Sequence, residues 1–167
     1  AFFIAVQCEE MLGQLHQVLG ALAQRRHHDR DHAEAVVQVF AEFAARNYDA
    51  RVVGLTISAE QRDYARKRIF EAGLNEKVEI RFQDYRDERG QYDRIASIEM
   101  IEAVGEQFWP NYFSQLRDRL LPGGLAGIQA ITIQDSLFQT YRREVDFIQR
   151  YVFPGGMLPS PQILKAL

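Results

Sequence analysis

The chain of 167 residues contains one cysteine, Cys8. That excludes an internal disulfide framework and fits a reducing compartment by default. No apolar run approaches the ~18 residues that a membrane-crossing helix needs. The opening AFFIAV is too short for a secretory h-region and follows no basic segment. Positive charge is not in excess either, with 20 Lys and Arg against 23 Asp and Glu and a formal net charge of −3. Such a balance gives no general basic field of the kind nucleic-acid binding draws on, and Arg62, Arg66, Lys67 and Arg68 read as the wet face of a helix. There is no internal repeat and no low-complexity tract. What remains is 47% hydrophobic and 26% charged, an ordinary globular composition. It suffices for one core, in a single domain or part of one. Because it opens at Ala1 and stops at Leu167 without a terminal tail, the chain reads as a piece of a longer protein.

From residue 51 onward strands and helices alternate. RVVGLT (Arg51–Thr56) is a buried-strand run of β-branched and apolar residues. Ser58 supplies an N-cap, and Gln61 three residues on completes an S-x-x-Q capping box. The helix then runs through Tyr64, Ala65, Arg68, Ile69 and Ala72, with Gly73 placed to end it. KVEIRFQD (Lys77–Asp84) alternates strictly, with Val78, Ile80 and Phe82 on one face. That alternation marks a strand near a sheet edge. YDRIASI from Tyr92 is the next strand. Gln107–Leu121 reads as a helix facing inward through Trp109, Phe113, Leu116 and Leu120. Pro122-Gly123-Gly124 ends it, and LAGIQAITI (Leu125–Ile133) follows as a strand. A last helix uses Leu137, Tyr141, Val145 and Ile148 before the loop FPGGMLPSP. Short connections between alternating elements predict a parallel, helix-covered sheet.

The stretch Tyr92–Gly105, YDRIASIEMIEAVG, places two carboxylates, Glu99 and Glu102, just past a strand's end. In an open α/β sheet that end of the strands borders the ligand crevice. A solvated loop carrying ordinary acids is the alternative.

Residues 1–50 differ. Met11–Gln24 and Ala33–Tyr48 read as helices, the second through Val36, Val37, Phe40, Phe43 and Ala44. Between them lies RRHHDRDH, where His28 and His32 stand four apart. That spacing can present two metal ligands on one helix face, but a solvated linker is the stronger reading, so no metal is assigned.

VVGLTISAEQ, QDYRD, YDRIASIEMIEAVGEQFWPNYF, LLPGG and DFIQRYVFPGGMLPS, in that order, resemble the cyclopropane-fatty-acyl-phospholipid synthase family. That family is similar in turn to the mycolic acid cyclopropane synthases, and both are S-adenosylmethionine-dependent methyltransferases. The resemblance covers about Phe40–Pro161. It implies that Thr56, Ile57, Ser58, Ala59, Glu60 and Gln61 contact the ribose and amino-acid side of S-adenosylmethionine. Ser58 and Gln61 can cap their helix at the same time. Asp84 and Tyr85 would bracket the adenine, the acid accepting from the exocyclic amine and the ring packing on the base. For Asp84 a turn role is the alternative.

The resemblance further implies that Glu102 holds a bicarbonate ion, the base that lets a methylated double bond of a phospholipid acyl chain close into a cyclopropane. Two anions in contact need a shared proton. Gln129 stands where the family has a histidine and Ile131 where it offers a backbone group. Glutamine donates a hydrogen bond but does not titrate, which puts a proton relay through Gln129 in doubt. The family also carries an acid followed by G-x-G before the helix that here includes FAEFAARNYDA. Asp31–Val39, DHAEAVVQV, contains no glycine and reads as helix.

The expected fold is therefore α/β, a Rossmann-like class I methyltransferase sheet lacking its glycine-loop strand and its C-terminal strands. Residues 1–39 are expected to be an atypical segment, helical or poorly ordered, ahead of a partial methyltransferase domain over 40–167. The expected partners are phospholipid acyl chains at a membrane surface, on its cytoplasmic side, with no nucleic acid. S-adenosylmethionine is expected to bind weakly or not at all for want of the glycine loop. A non-catalytic remnant or interaction module, and a small-molecule O- or N-methyltransferase, are the alternatives.

Overall fold

β-Branched and aliphatic runs set the sheet. Arg51–Thr56 (β2), Val78–Phe82 (β3), Tyr92–Ile98 (β4) and Leu120–Gln129 (β5) are strands. A fifth, Phe2–Gln7 (β1), lies among them, and the sheet order is β3-β2-β1-β4-β5. The computed structural model describes residues 2–7, 36–144, 150 and 155–167.

β2 pairs with β3 in parallel, Val52 opposite Val78 through Thr56 opposite Phe82, and β4 pairs with β5 in parallel, Ile98 opposite Gln129. β3 is the edge strand that its alternation predicts. The centre departs from the expectation of a parallel sheet without its first strand. The central position is filled, and β1 runs antiparallel to both neighbours, with Phe3 opposite Leu55 and Ser97 and Gln7 opposite Arg51. Six residues, FFIAVQ, satisfy the backbone donors and acceptors that the facing edges of β2 and β4 would otherwise bury unpaired. The reading of residues 1–39 as helical or poorly ordered is corrected at these positions. The helix proposed for Met11–Gln24, the pair His28 and His32, and Cys8 lie outside the described residues.

The helix expected over Ala33–Tyr48 is described over Val36–Asn47 (α1). Ala59–Glu71 (α2) begins as predicted, with Ser58 Oγ accepting from the Gln61 N–H at 3.2 Å. It ends in a Schellman motif, the Leu74 N–H bonding to Ile69 O and the Gly73 N–H to Phe70 O. Gly73 has φ +70° and nothing within 4 Å of where a Cβ would stand. Gly73→Ala is therefore expected to cost backbone strain alone, about 1–2 kcal/mol. The readout is a lowered urea midpoint at unchanged m-value.

Trp109–Arg119 (α4) starts two residues later than expected, because Glu106–Phe108 form a 3-10 turn. Its buried face is Trp109, Tyr112 and Leu116, with Phe113 at the margin, while Leu120 already belongs to β5. Pro122-Gly123-Gly124 lies within β5 instead of before it, and pairing with β4 is irregular between Tyr92 and Arg94. A Cβ at Gly124 would come within 2.8 Å of Leu121 O and 3.0 Å of Asp93 O, so only glycine fits that crossing. β5 ends at Gln129, short of the predicted Ile133. Asp135–Tyr141 (α5) takes Leu137 and Tyr141; Val145 and Ile148 lie outside the described residues. Ser160 caps the last helix, Pro161–Ala166 (α6).

Two apolar layers sandwich the sheet. Phe40, Ala41, Ala44 and Ala45 of α1 and Ala65 and Ile69 of α2 cover one face over Val52, Ile80 and Ile98. Trp109, Tyr112, Leu116 and Phe138 cover the other over Leu55 and Ile95. No helix among the described residues is long and apolar enough to cross a membrane.

Candidate active-site crevice

Beyond the carboxyl ends of β2, β3 and β4 lies a pocket of about 210 Å³. β2 contributes Leu55 and Thr56, with Ile57 following; the turn after β3 gives Gln83, Asp84, Tyr85 and Arg86. Met100 is followed by a short helix, Ile101–Val104 (α3), and Met100, Ala103, Val104 and Phe108 close the remaining wall.

Four of the eight proposed cofactor residues line it: Thr56, Ile57, Asp84 and Tyr85. The other four, Ser58, Ala59, Glu60 and Gln61, do not, and form the cap and first turn of α2. The reciprocal arm of the capping box is redirected. Thr56, buried at the end of β2, donates from its hydroxyl to Gln61 Oε1 (3.0 Å) and accepts the Ser58 N–H (3.1 Å). Gln61 thus braces the strand end where the box would have it return to Ser58.

Asp84 is engaged from within the chain. Arg86 donates Nε to Oδ1 (2.9 Å) and Nη2 to Oδ2 (2.6 Å), and its backbone N–H bonds Oδ1 as well. This fork holds the Asp84 carboxyl below the usual aspartate range despite partial burial. Asp84 thus takes the turn role, with both carboxylate oxygens engaged by Arg86. Tyr85 stands edge-on to Tyr112 with ring centroids 5.7 Å apart, and burial raises the pKa of its hydroxyl. Sequence reasoning missed Arg86, Met100, Ala103, Val104 and Phe108. Their signal was position, since each adjoins a motif already singled out.

Glu102 sits in α3, away from that pocket's lining, and is only 4% exposed. Its Oε1 accepts the Ile131 N–H at 2.5 Å, and its carbonyl accepts the Met157 N–H at 2.8 Å. Its Oε2 is buried without a hydrogen-bond partner among the described residues, and so is Gln129 Oε1. The Glu99 N–H donates to Gln129 O at 2.9 Å, tying the end of β5 to the loop that carries both acids. The structure thus draws Glu102, Gln129 and Ile131 into one neighbourhood. Ile131 takes part through its backbone, beyond the end of β5, while its side chain is half exposed. Glu99 has φ +51° and joins this arrangement through its backbone N–H.

Two buried aromatics support the acid. Trp109 Nε1 donates to Ile101 O (3.2 Å), fixing the start of α3. The Tyr112 hydroxyl and Ser97 Oγ lie 2.6 Å apart; burial, with a contribution from the Glu102 charge, pushes that hydroxyl well above its ordinary pKa. No group of three or more His, Cys, Asp and Glu suited to a metal ion occurs among the described residues.

A sequence profile described as mycolic acid cyclopropane synthetase matches residues 39–166. The chain belongs to this family. Similar proteins include a tuberculostearic acid methyltransferase of Mycobacterium tuberculosis, 47% identical over 115 residues, covering 69% of this chain and 27% of that protein. The cyclopropane-fatty-acyl-phospholipid synthase of Escherichia coli K12 is 41% identical over 120 residues, covering 72% of this chain and 29% of that one. The chain thus spans under a third of the length of these relatives. Among solved structures, a mycolic acid cyclopropane synthase complexed with SAH and CTAB superposes with a TM-score of 0.66 at 25% identity, over 79% of this chain and 48% of that chain. A coclaurine N-methyltransferase at 20% identity and TM-score 0.56, over 75% of this chain and 38% of that one, shares the fold. The fold is that of the class I S-adenosylmethionine-dependent methyltransferases, present here in part. The family resemblance and the incomplete class I sheet read from sequence both hold.

Proposed function

We propose that this chain carries the adenine wall and the base site of a cyclopropane-fatty-acyl-phospholipid synthase-type methyltransferase. The observation that carries the reading is Glu102 Oε2, a buried carboxylate oxygen with no partner among the described residues, on a side chain aimed by the Ile131 N–H. An orphaned buried acceptor fits a ligand that donates to it, as the O–H of bicarbonate would. When bound, S-adenosylmethionine would supply the methyl group to a cis double bond of a phospholipid acyl chain, and bicarbonate the base that takes a proton from that methyl as the ring closes.

The chain's own residues set the geometry for that chemistry. Ile131 holds one oxygen of Glu102, leaving the other to share a proton with the ion. Gln129 can hold a ligand by its amide but cannot relay a proton. Tyr85, Met100 and Val104 offer a slot for a flat base. Ile57 and Phe108, 70% and 47% exposed, give the pocket mouth an apolar rim suited to an acyl chain at the cytoplasmic surface of a membrane.

The test supplies the chain with S-adenosylmethionine and vesicles of a cis-unsaturated phospholipid, with and without bicarbonate, and assays the lipids by gas chromatography. Bicarbonate-dependent ring formation is expected, and Glu102→Gln should lower it about a hundredfold. Ring formation that survives Glu102→Gln overturns the bicarbonate site, whereas methylation of a small-molecule O or N acceptor that is indifferent to Glu102→Gln favours a small-molecule methyltransferase. One observation favours the second reading, a non-catalytic remnant. β1 is reversed, so its carboxyl end at Gln7 lies beside Arg51, at the end of the sheet away from the crevice. Its signature is a folded chain whose melting temperature does not move with S-adenosylmethionine.

A further inference from the structure

We infer that the Ser97–Tyr112 hydroxyl pair is a further binding element of the proposed base site and donates a hydrogen bond to the ion held beside Glu102. This rests on the reading of Glu102 as an anion holder. The pair sits where that site is built. Ser97 lies on β4 opposite Ile128, one step before the pairing of Ile98 with Gln129. Tyr112 comes from α4 and joins the apolar layer that also takes Met100, Ile101 and Trp109. Both residues are wholly buried. The Tyr112 ring meets Tyr85 of the crevice wall edge-on, and the Glu102 charge acts on its hydroxyl.

The tally of hydrogen bonds gives the pair its role. Two hydroxyls carry two protons and spend one on each other across 2.6 Å, whichever way that bond runs. Neither has a second partner among the described residues, so one proton is left over in a buried place. Around Glu102 the imbalance is the reverse. Its Oε1 takes the Ile131 N–H, while its Oε2 and Gln129 Oε1 are acceptors left unmet among the described residues. The spare donor is bonded directly to neither of them. A small ion that both donates and accepts closes this gap. The O–H of bicarbonate serves Oε2, and a charged oxygen of the same ion takes the hydroxyl proton. The donor also meets an electrostatic need, because an anion beside a carboxylate is repelled unless N–H or O–H groups face it.

Thermal melting of the full chain in rising sodium bicarbonate, against sodium chloride at equal ionic strength and fixed pH, tests the inference. Bicarbonate is expected to raise the melting temperature of the native chain, as a ligand of the folded state must, and Glu102→Gln should abolish the rise. The double variant Ser97→Ala/Tyr112→Phe removes both partners of the bond and keeps a ring to meet Tyr85 and Phe113. Its melting temperature in chloride should therefore stay near the native one. Its affinity for bicarbonate should fall about tenfold. A pair that served packing alone would leave the bicarbonate response intact. Native affinity in the double variant thus overturns the inference and leaves the base-site reading standing. A native chain that does not respond to bicarbonate overturns the base-site reading, and the inference with it. If the double variant does not fold, Tyr112→Phe decides: about threefold weaker binding is expected, and undiminished binding overturns the inference.

Discussion

Glu88→Ala is expected to destabilise the chain by about 3–5 kcal/mol, because it removes one partner from a buried ionic network. Glu88 is 3% exposed and accepts from five donors: Arg81 Nη1 (3.1 Å), Gln83 Nε2 (3.2 Å), the N–H groups of Arg89 (3.0 Å) and Gly90 (2.7 Å), and the Tyr92 hydroxyl (3.0 Å). Alanine would strand all five and leave the Arg81 guanidinium with only Glu79. The hub ties edge strand β3 to the start of β4 directly beneath the loop that carries Asp84 and Tyr85. Burial by itself would raise the Glu88 pKa, but the bonds from Gly90, Tyr92 and Arg89 and the charge of Arg81 together hold it below the ordinary value. A carboxylate depressed on folding stabilises the fold above its unfolded pKa of ~4.3 and loses that contribution as pH falls through the folded value. Tyr92 acts in the opposite sense. Its hydroxyl is pushed up to about 12, first by burial and then by Glu88, so its contribution is complete below the unfolded pKa of ~10 and fades as pH rises toward the folded one. Urea unfolding at stepped pH checks both. Glu88→Ala should lower the midpoint near neutrality and flatten the acid limb, and an unshifted midpoint would mean that the hub does not hold the loop.

Trp109→Ala is the other large effect, about 3–5 kcal/mol for emptying a large core site. The ring is 1% exposed, tilted against Phe138 with centroids 6.4 Å apart, and its Nε1–H bonds the Ile101 carbonyl. Removing it opens a cavity under α3 and frees the carbonyl next to Glu102. Trp109→Phe separates the two contributions, since it keeps most of the packing and leaves that carbonyl unmet at about 1–3 kcal/mol. Trp109 is the sole tryptophan in the sequence, so the variants are followed by circular dichroism. A midpoint unchanged in Trp109→Ala would detach α4 from the support of α3.

How far the sequence reached depended on whether the deciding forces were local. The unit β2–α2–β3 was legible because its signals lie within a few residues of their effects: the Ser58 cap, the Gly73 turn at positive φ, and the alternation that put Val78 and Ile80 inward at an edge. The motif series through QDYRD and SIEMIEAVG brought the family into view. The direction of β1 was not legible, since FFIAVQ is equally apolar read either way and its sense is fixed only by the two strand edges it fills. The capture of Asp84 by Arg86 escaped for a related reason. An acid after a strand reads alike whether its partner is a ligand or the arginine two residues on. Gln129 and Glu102 were paired through the resemblance, but the bond to Ile131 spans 29 residues and has no local trace. Tyr112 was passed over in favour of Phe113 and Leu120 because a tyrosine beside a phenylalanine leaves the helix phase ambiguous by one position.

The two margins of the sheet are unequal. β3 ends one side with Glu79 and Arg81 standing among its apolar residues, a charged border that discourages another chain from pairing there. β5 ends the other, and from Leu120 to Gln134 it and the segment after it carry no charged side chain at all. Leu125 is 47% exposed on that margin. A strand so bare is a template for further strands, held back among the described residues by Pro122 and the irregular pairing beside it. The colloidal behaviour of the chain in solution is therefore governed from one side of the sheet, opposite the edge that its own charges protect.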